Sequence, residues 1–167
     1  KIEGKELVPG AHGAAKHTDV TRELFIPVTG SPTGWYNYNV FGFLATGTGE
    51  RYMTFRVPSD FVSFTSLKVI WMPETATAGN WVCDPNANYC AENEAYNTHT
   101  DNPAAAAIAA PEVLGKQMIS GVGFTLANLA KGDLAGININ RLGADAGDTY
   151  AADIKILGLL LTYVAEQ

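Results

Sequence analysis

Charge is scarce in this chain. Asp, Glu, Lys and Arg make up 17% of its 167 residues, where a soluble domain usually carries about 25%. Cations are the scarcer sign: 11 Lys and Arg stand against 17 Asp and Glu, for a net charge of −6. Phosphate backbones are held by clustered Lys and Arg; no basic stripe occurs, so no nucleic acid partner is expected. The low charge and a hydrophobic share of 47% also exclude a disordered composition. Long apolar runs are missing. The longest, residues 156–161, falls far short of the ~20 residues that a bilayer-crossing helix needs, so a soluble domain with no membrane partner is expected. Cysteine is limited to Cys83 and Cys90, and the CxxC spacing of zinc sites is absent. Helix-prone sequence is nearly absent too: residues 104–110 are alanine-rich, but Pro103 and Pro111 bracket them and leave room for a short helix or a surface loop. No serine or cysteine sits in a nucleophile elbow, and no enzyme is expected.

What the chain has in quantity is strand periodicity. A chain this long buries roughly two thirds of its unfolded surface, enough for one self-sufficient core. Residues 1–16, with Gly4, Pro9, Gly10 and Gly13, show little apolar pattern and read as an extended N-terminal arm; residues 17–167 read as a single domain. Within it, residues 36–44, 51–57, 121–126 and 134–141 alternate apolar with polar side chains, as half-buried strands do; residues 20–28 read as a strand from their β-branched and aromatic content, and residues 67–72 set Leu67, Val69 and Trp71 on one face against a mixed face of Lys68, Ile70 and Met72. Residues 152–164 are apolar on both faces, which requires a cover on each. Ile154, Ile156, Leu159 and Leu161 are therefore candidate subunit-interface residues. Between residues 73 and 103 lies a polar excursion, rich in asparagine and too long for an ordinary loop; a strand around residues 95–100, or a compact loop with its own role, is expected in it. The whole reads as an all-β chain of about eight strands, an antiparallel β-sandwich and preferably a single jelly roll.

The excursion supplies most of the candidate sites. Cys83 and Cys90 flank Asp84-Pro85-Asn86-Ala87-Asn88-Tyr89, and a turn there brings two sulfurs within bridging reach, so a disulfide is expected. Asp84, Asn86 and Asn88 offer side-chain oxygens at every second position, with Glu92 close behind, the spacing of a calcium loop; the other reading is an Asx-rich turn satisfying its own backbone. No other cofactor is indicated. Trp81 and Tyr89 are candidates for a sugar-stacking pair. His99 and the carboxylate pairs Glu92/Glu94 and Asp145/Asp148 lack the partners that catalysis needs, and His12 and His17 fall in the arm.

Beyond single sites, Glu94-Ala95-Tyr96-Asn97-Thr98-His99-Thr100, then Leu129-Ala130-Lys131-Gly132-Asp133-Leu134-Ala135-Gly136-Ile137, Arg141, Asp148-Thr149 and Leu157-Gly158 resemble the small β-domains of phage and other viral structural proteins. The resemblance covers roughly residues 50–164 and rests on turn and strand chemistry. It implies a virion protein: a jelly roll of capsid, decoration or spike type, whose partners are copies of itself or other virion proteins. The arm, the apolar last strand and the uncharged Asn- and Thr-rich surface point the same way. The alternative is an extracellular carbohydrate-binding β-sandwich module, with glycans as partners.

Overall fold

The structure, a computed structural model, describes residues 18–29, 33–35, 38–45 and 47–167. The expected arm at residues 1–16, with His12, lies outside them, and so does His17. The described residues form strands and no helix: β1 (Val20–Pro27), β2 (Thr33–Trp35), β3 (Tyr38–Phe43), β4 (Thr48–Arg56), β5 (Phe61–Pro73), β6 (Gly79–Cys90), β7 (His99–Asp101), β8 (Ala106–Ala110), β9 (Met118–Gly121), β10 (Leu134–Leu142) and β11 (Ile154–Ala165). Every pairing is antiparallel. The larger sheet runs β2-β3-β11-β5-β9, with β1 laid along the same edge of β11 as β3; the smaller runs β4-β10-β6-β7, with β8 also on β6.

The two sheets make an antiparallel β-sandwich around one core. Leu67, Val69 and Trp71 of β5 face Met53, Ile137, Ile139 and Trp81 of the smaller sheet, all buried. Trp71 and Trp81 meet edge to face across the sandwich with ring centroids 5.5 Å apart, a preferred arrangement for two indoles.

Three segments differ from the sequence reading, each for a local reason. Residues 106–110 pair with β6 as β8 instead of forming a helix, because alanine's helix preference cannot act over so few residues between two prolines. Residues 122–126 are a loop, although Val122, Phe124 and Leu126 are all buried as the alternation demands. Their backbone is satisfied by a side chain: the Asp101 carboxylate accepts from the amides of Thr125 at 2.6 Å and Leu126 at 2.8 Å, holding Leu126 at φ 40°. The stretch of the polar excursion that carries the candidate sites is strand β6, which places Trp81, Cys83, Ala87 and Tyr89 in the core and Asp84, Asn86 and Asn88 on the outside. Pro85 is tolerated because it falls between β8, which pairs residues 79–83, and β7, which pairs residues 87–89, where that edge of β6 has no ladder partner.

The last strand corrects the interface expectation. Ile154, Ile156, Leu159 and Leu161 are fully buried and all belong to the sandwich core. A bulge between Ile156 and Gly158 shifts the register against β5 and reverses the phase of alternation. Even-numbered residues point inward before it and odd-numbered ones after it, so one apolar face looks in sequence like two. Gly158 sits opposite Pro27 of β1 at this bulge. A methyl group there would lie 2.2 Å from the Ile26 carbonyl oxygen and 2.8 Å from the Phe25 ring, and neither backbone nor β1 can retreat without breaking the ladder. Gly158→Ala is therefore expected to cost about 1–3 kcal/mol as an overpacked site, read as a lowered urea midpoint at unchanged m-value.

A buried ion pair fixes the connection from β10 to β11. Arg141, inward-facing at the end of β10, and Asp148 have side chains 0% and 1% exposed. Arg141 donates two parallel hydrogen bonds to the carboxylate, Nε to Oδ2 at 2.8 Å and Nη2 to Oδ1 at 2.6 Å. It donates two more to the carbonyls of Ala152 at 2.8 Å and Tyr150 at 2.5 Å. Asp148 Oδ2 also accepts from the Val82 amide at 3.0 Å, so the connection is latched onto β6. Next to it, the amides of Thr149 and Tyr150 both reach the Asn80 carbonyl at 2.8 Å. Removing one member of such a pair leaves the other charged and unpaired in the core. Asp148→Ala is expected to lose about 3–5 kcal/mol of folding free energy. Arg141→Lys, which keeps the charge but not the planar fork, should recover only part of the loss of Arg141→Ala in the same denaturation assay.

Candidate functional surfaces

The sites expected in the excursion dissolve once β6 is seen to be straight. Cys83 and Cys90 are both free thiols. They lie on one extended strand, about 23 Å apart at 3.3 Å per residue, and point to opposite faces; a disulfide needs Cα atoms within about 7 Å. Asp84, Asn86 and Asn88 do share one face, but successive members are about 6.6 Å apart along the strand, and Glu92 is an exposed residue beyond its end. A calcium ion needs oxygens converging at about 2.3–2.6 Å, and this line of side chains does not curl around a centre. No group of three or more His, Cys, Asp or Glu among the described residues is disposed to hold a metal. Trp81 and Tyr89 are 0% and 2% exposed, so neither offers a ring face to a sugar. Tyr89 instead stacks on His99 at 5.4 Å, and His99 Nε2 stands 3.8 Å from Glu94, which makes this histidine part of the packing between β6 and the loop that follows it.

The outer face of the smaller sheet holds a groove of about 460 Å³. Its geometry follows from the ladder register. One row across the sheet reads Tyr52, Asn138, Asn86; the next reads Thr54, Gly136, Asn88, Thr100. Gly136 has no side chain, so the floor drops between Thr54 and Asn88, and the flanking asparagines stand above it. Tyr52, 60% exposed, forms one wall, and Tyr96, 76% exposed, forms another. The Tyr52 hydroxyl donates to Glu50, which fixes the ring and raises the phenol's pKa. Tyr96 is carried by the loop between β6 and β7, which is held by its own bonds: Glu94 Oε2 accepts from the Ala91 amide at 2.9 Å, and the Thr98 amide donates to the Ala95 carbonyl at 3.0 Å. The described residues lining the groove include no Lys, Arg, Asp or Glu. Asn138, one of them, has its Oδ1 enclosed without a donor among the described residues, and so does its neighbour Asn140, 7% exposed in the next row. The sequence reading passed over Tyr52, Tyr96, Asn138 and Gly136 as site residues; the visible signal was two asparagines alternating with Ile137 and Ile139.

The outer face of the larger sheet is apolar where β1, β11, β5 and β9 run side by side. Phe25 faces Leu160, and the next row reads Pro27, Gly158, Ile70, Ile119. Phe25 and Ile119 are half exposed, at 50% and 49%. Glu23 on β1 and Lys68 on β5 are the nearby charges.

Compared with protein-family models and with curated proteins, the chain matches none.

The two thiols differ sharply in setting. Burial, with a smaller contribution from the Asp84 carboxylate, pushes the Cys83 thiol up to about 12 from its ordinary 9.0. Cys90 lines the groove. In the folded protein at mildly alkaline pH, alkylation is expected to take Cys90 and spare Cys83, with both reacting after denaturation; mass spectrometry of the peptides reads this out. The raised value also has a stability consequence. The unfolded chain releases the Cys83 proton above pH 9 while the folded chain retains it, so this contribution is intact below pH 9 and is lost as pH rises towards 12. Cys83→Ala is expected to flatten the fall of urea stability over that window, whatever its effect at neutral pH.

Proposed function

We propose that the chain is a virion structural subunit, a single jelly roll that works by assembling with copies of itself or with other virion proteins rather than by catalysis, in a virion or another extracellular setting. The strand order carries this reading. With β3-β11-β5-β9 in one sheet and β4-β10-β6-β7 in the other, the chain changes sheet at each step from β3 to β6 and again from β8 to β11, as two nested Greek keys do in the jelly rolls that build capsids. The apolar outer face around Phe25 and Ile119 supports the assembly role in place of the β11 residues first considered, since a patch with so few charges is the kind of surface that subunits bury. The partner on this face is a second copy of the chain.

Sedimentation velocity of the full chain over a wide concentration range tests it. Reversible association is expected, and Phe25→Glu, which changes a half-exposed side chain, should abolish it while lowering the melting temperature only modestly. A strict monomer at the highest concentration, or association indifferent to Phe25→Glu and Ile119→Glu, overturns the assignment of this face.

A further inference from the structure

The geometry points to a second role for the same subunit: the groove on the outer face of the smaller sheet is a binding site for an uncharged glycan. Three observations converge on this chemistry. First, the described lining residues include no ionisable group apart from the phenols of Tyr52 and Tyr96 and the Cys90 thiol. A phosphate, a sialic acid or a basic peptide would find no counter-charge there, and burying an ion unpaired is costly. Second, the polar groups that are present are uncharged: the amides of Asn86, Asn88 and Asn138 and the Thr54 hydroxyl. Asn86 and Asn88 offer donors and an acceptor, the complement of a sugar hydroxyl, which also does both, and Asn138 lines the same floor with its Oδ1 enclosed. Third, Tyr52 and Tyr96 present exposed ring faces at the sides of a floor lowered by Gly136. The apolar C–H face of a pyranose fits such a ring, and the hydroxyls at its rim then point to the amides below.

Preorganisation makes the site more than a dent between strands. Two neighbouring rows of the β4-β10-β6 ladder fix the asparagines, Glu50 holds Tyr52, and internal hydrogen bonds hold the loop that carries Tyr96. Ordering little on binding leaves more of the contact energy as affinity. The sandwich keeps the groove and the apolar face of the larger sheet on opposite sides, so a subunit assembled through the latter would present the former to its surroundings. The site itself does not depend on assembly.

Two-dimensional amide NMR of the full chain, titrated with the methyl glycosides of glucose, galactose, mannose and N-acetylglucosamine, tests the inference, followed by a glycan array holding neutral and sialylated oligosaccharides. At least one neutral sugar is expected to shift the amides of Asn86, Asn88, Gly136 and Asn138 together and to slow alkylation of Cys90. Tyr96→Ala should weaken that binding about tenfold or more, the loss of one stacked ring, with an unchanged melting temperature because the side chain is exposed. Asn138→Ala should weaken it similarly. Silence with all four glycosides and on the array, shifts centred elsewhere, a preference for sialylated glycans, or binding unaffected by Tyr96→Ala each overturns it. Any of these results leaves the sedimentation test of assembly untouched.

Discussion

The sandwich is held at one end by a charge that cannot reach water. Arg141 occupies an inward position on β10, where the next residues in phase are Ile139 and Ile137. An arginine there is tolerable only because every direction its fork points meets an acceptor: the Asp148 carboxylate and the carbonyls of Tyr150 and Ala152. Those acceptors all come from the connection that leads into β11. The ion pair thus sets where β11 starts, and β11 is the strand on which β1, β3 and β5 all pair. Such a pair adds less net stability than its contacts suggest, since desolvation offsets most of the attraction. Its effect is to make alternative paths for this connection expensive, because each of them leaves the guanidinium unsatisfied.

The second constraint is the Trp71 and Trp81 contact at the centre, and it shows how far a period of two carries. Residues 134–141 and 51–57 alternate, residues 67–72 do so on one face with a mixed second face, and β10, β4 and β5 are found there. β6 has the same signal in Trp81, Cys83, Pro85, Ala87 and Tyr89, all inward. It was obscured by its other face, where Asp84, Asn86 and Asn88 are residue types that usually mark turns. Turn propensity is a local preference worth little against Trp81 and Tyr89, which bury on one side of an extended chain. The expected disulfide and calcium loop assumed a turn at this place and the sugar platform assumed exposed rings, so all three fell when the segment proved to be a strand with Trp81 and Tyr89 buried.

The opposite error occurred at β11, where every residue type favoured a strand and the phase was lost. Alternation is legible only while the ladder is regular, and a single bulge at residues 156–158 exchanges the faces. Gly158 is the one sequence clue, a glycine in an otherwise apolar strand, and its meaning depends on Phe25 and Ile26 of a strand more than 130 positions away in the chain. Contacts between distant segments of this sort are not written in local composition. The same holds for the groove: Tyr52, Asn86, Tyr96, Gly136 and Asn138 come from three strands and a loop, and only the ladder register makes them neighbours.

The scarcity of charge acquires a location from these two outer faces. A two-layer sandwich has its core between the sheets, and its outer faces are ordinarily where solubility is secured by Lys and Glu. Here the larger sheet presents Phe25, Leu160 and Ile119 with few charges near them, and the smaller presents asparagines around a glycine floor. Neither face is simply unfinished. The apolar one gains from leaving water, and the amide-lined one keeps water-like hydrogen bonding while repelling neither sign of charge. A chain with more lysine and glutamate on these strands would be better solvated but would lose the apolar surface on one side and the neutral groove on the other. Low charge is therefore a property of two particular surfaces, and each is low for a different chemical reason.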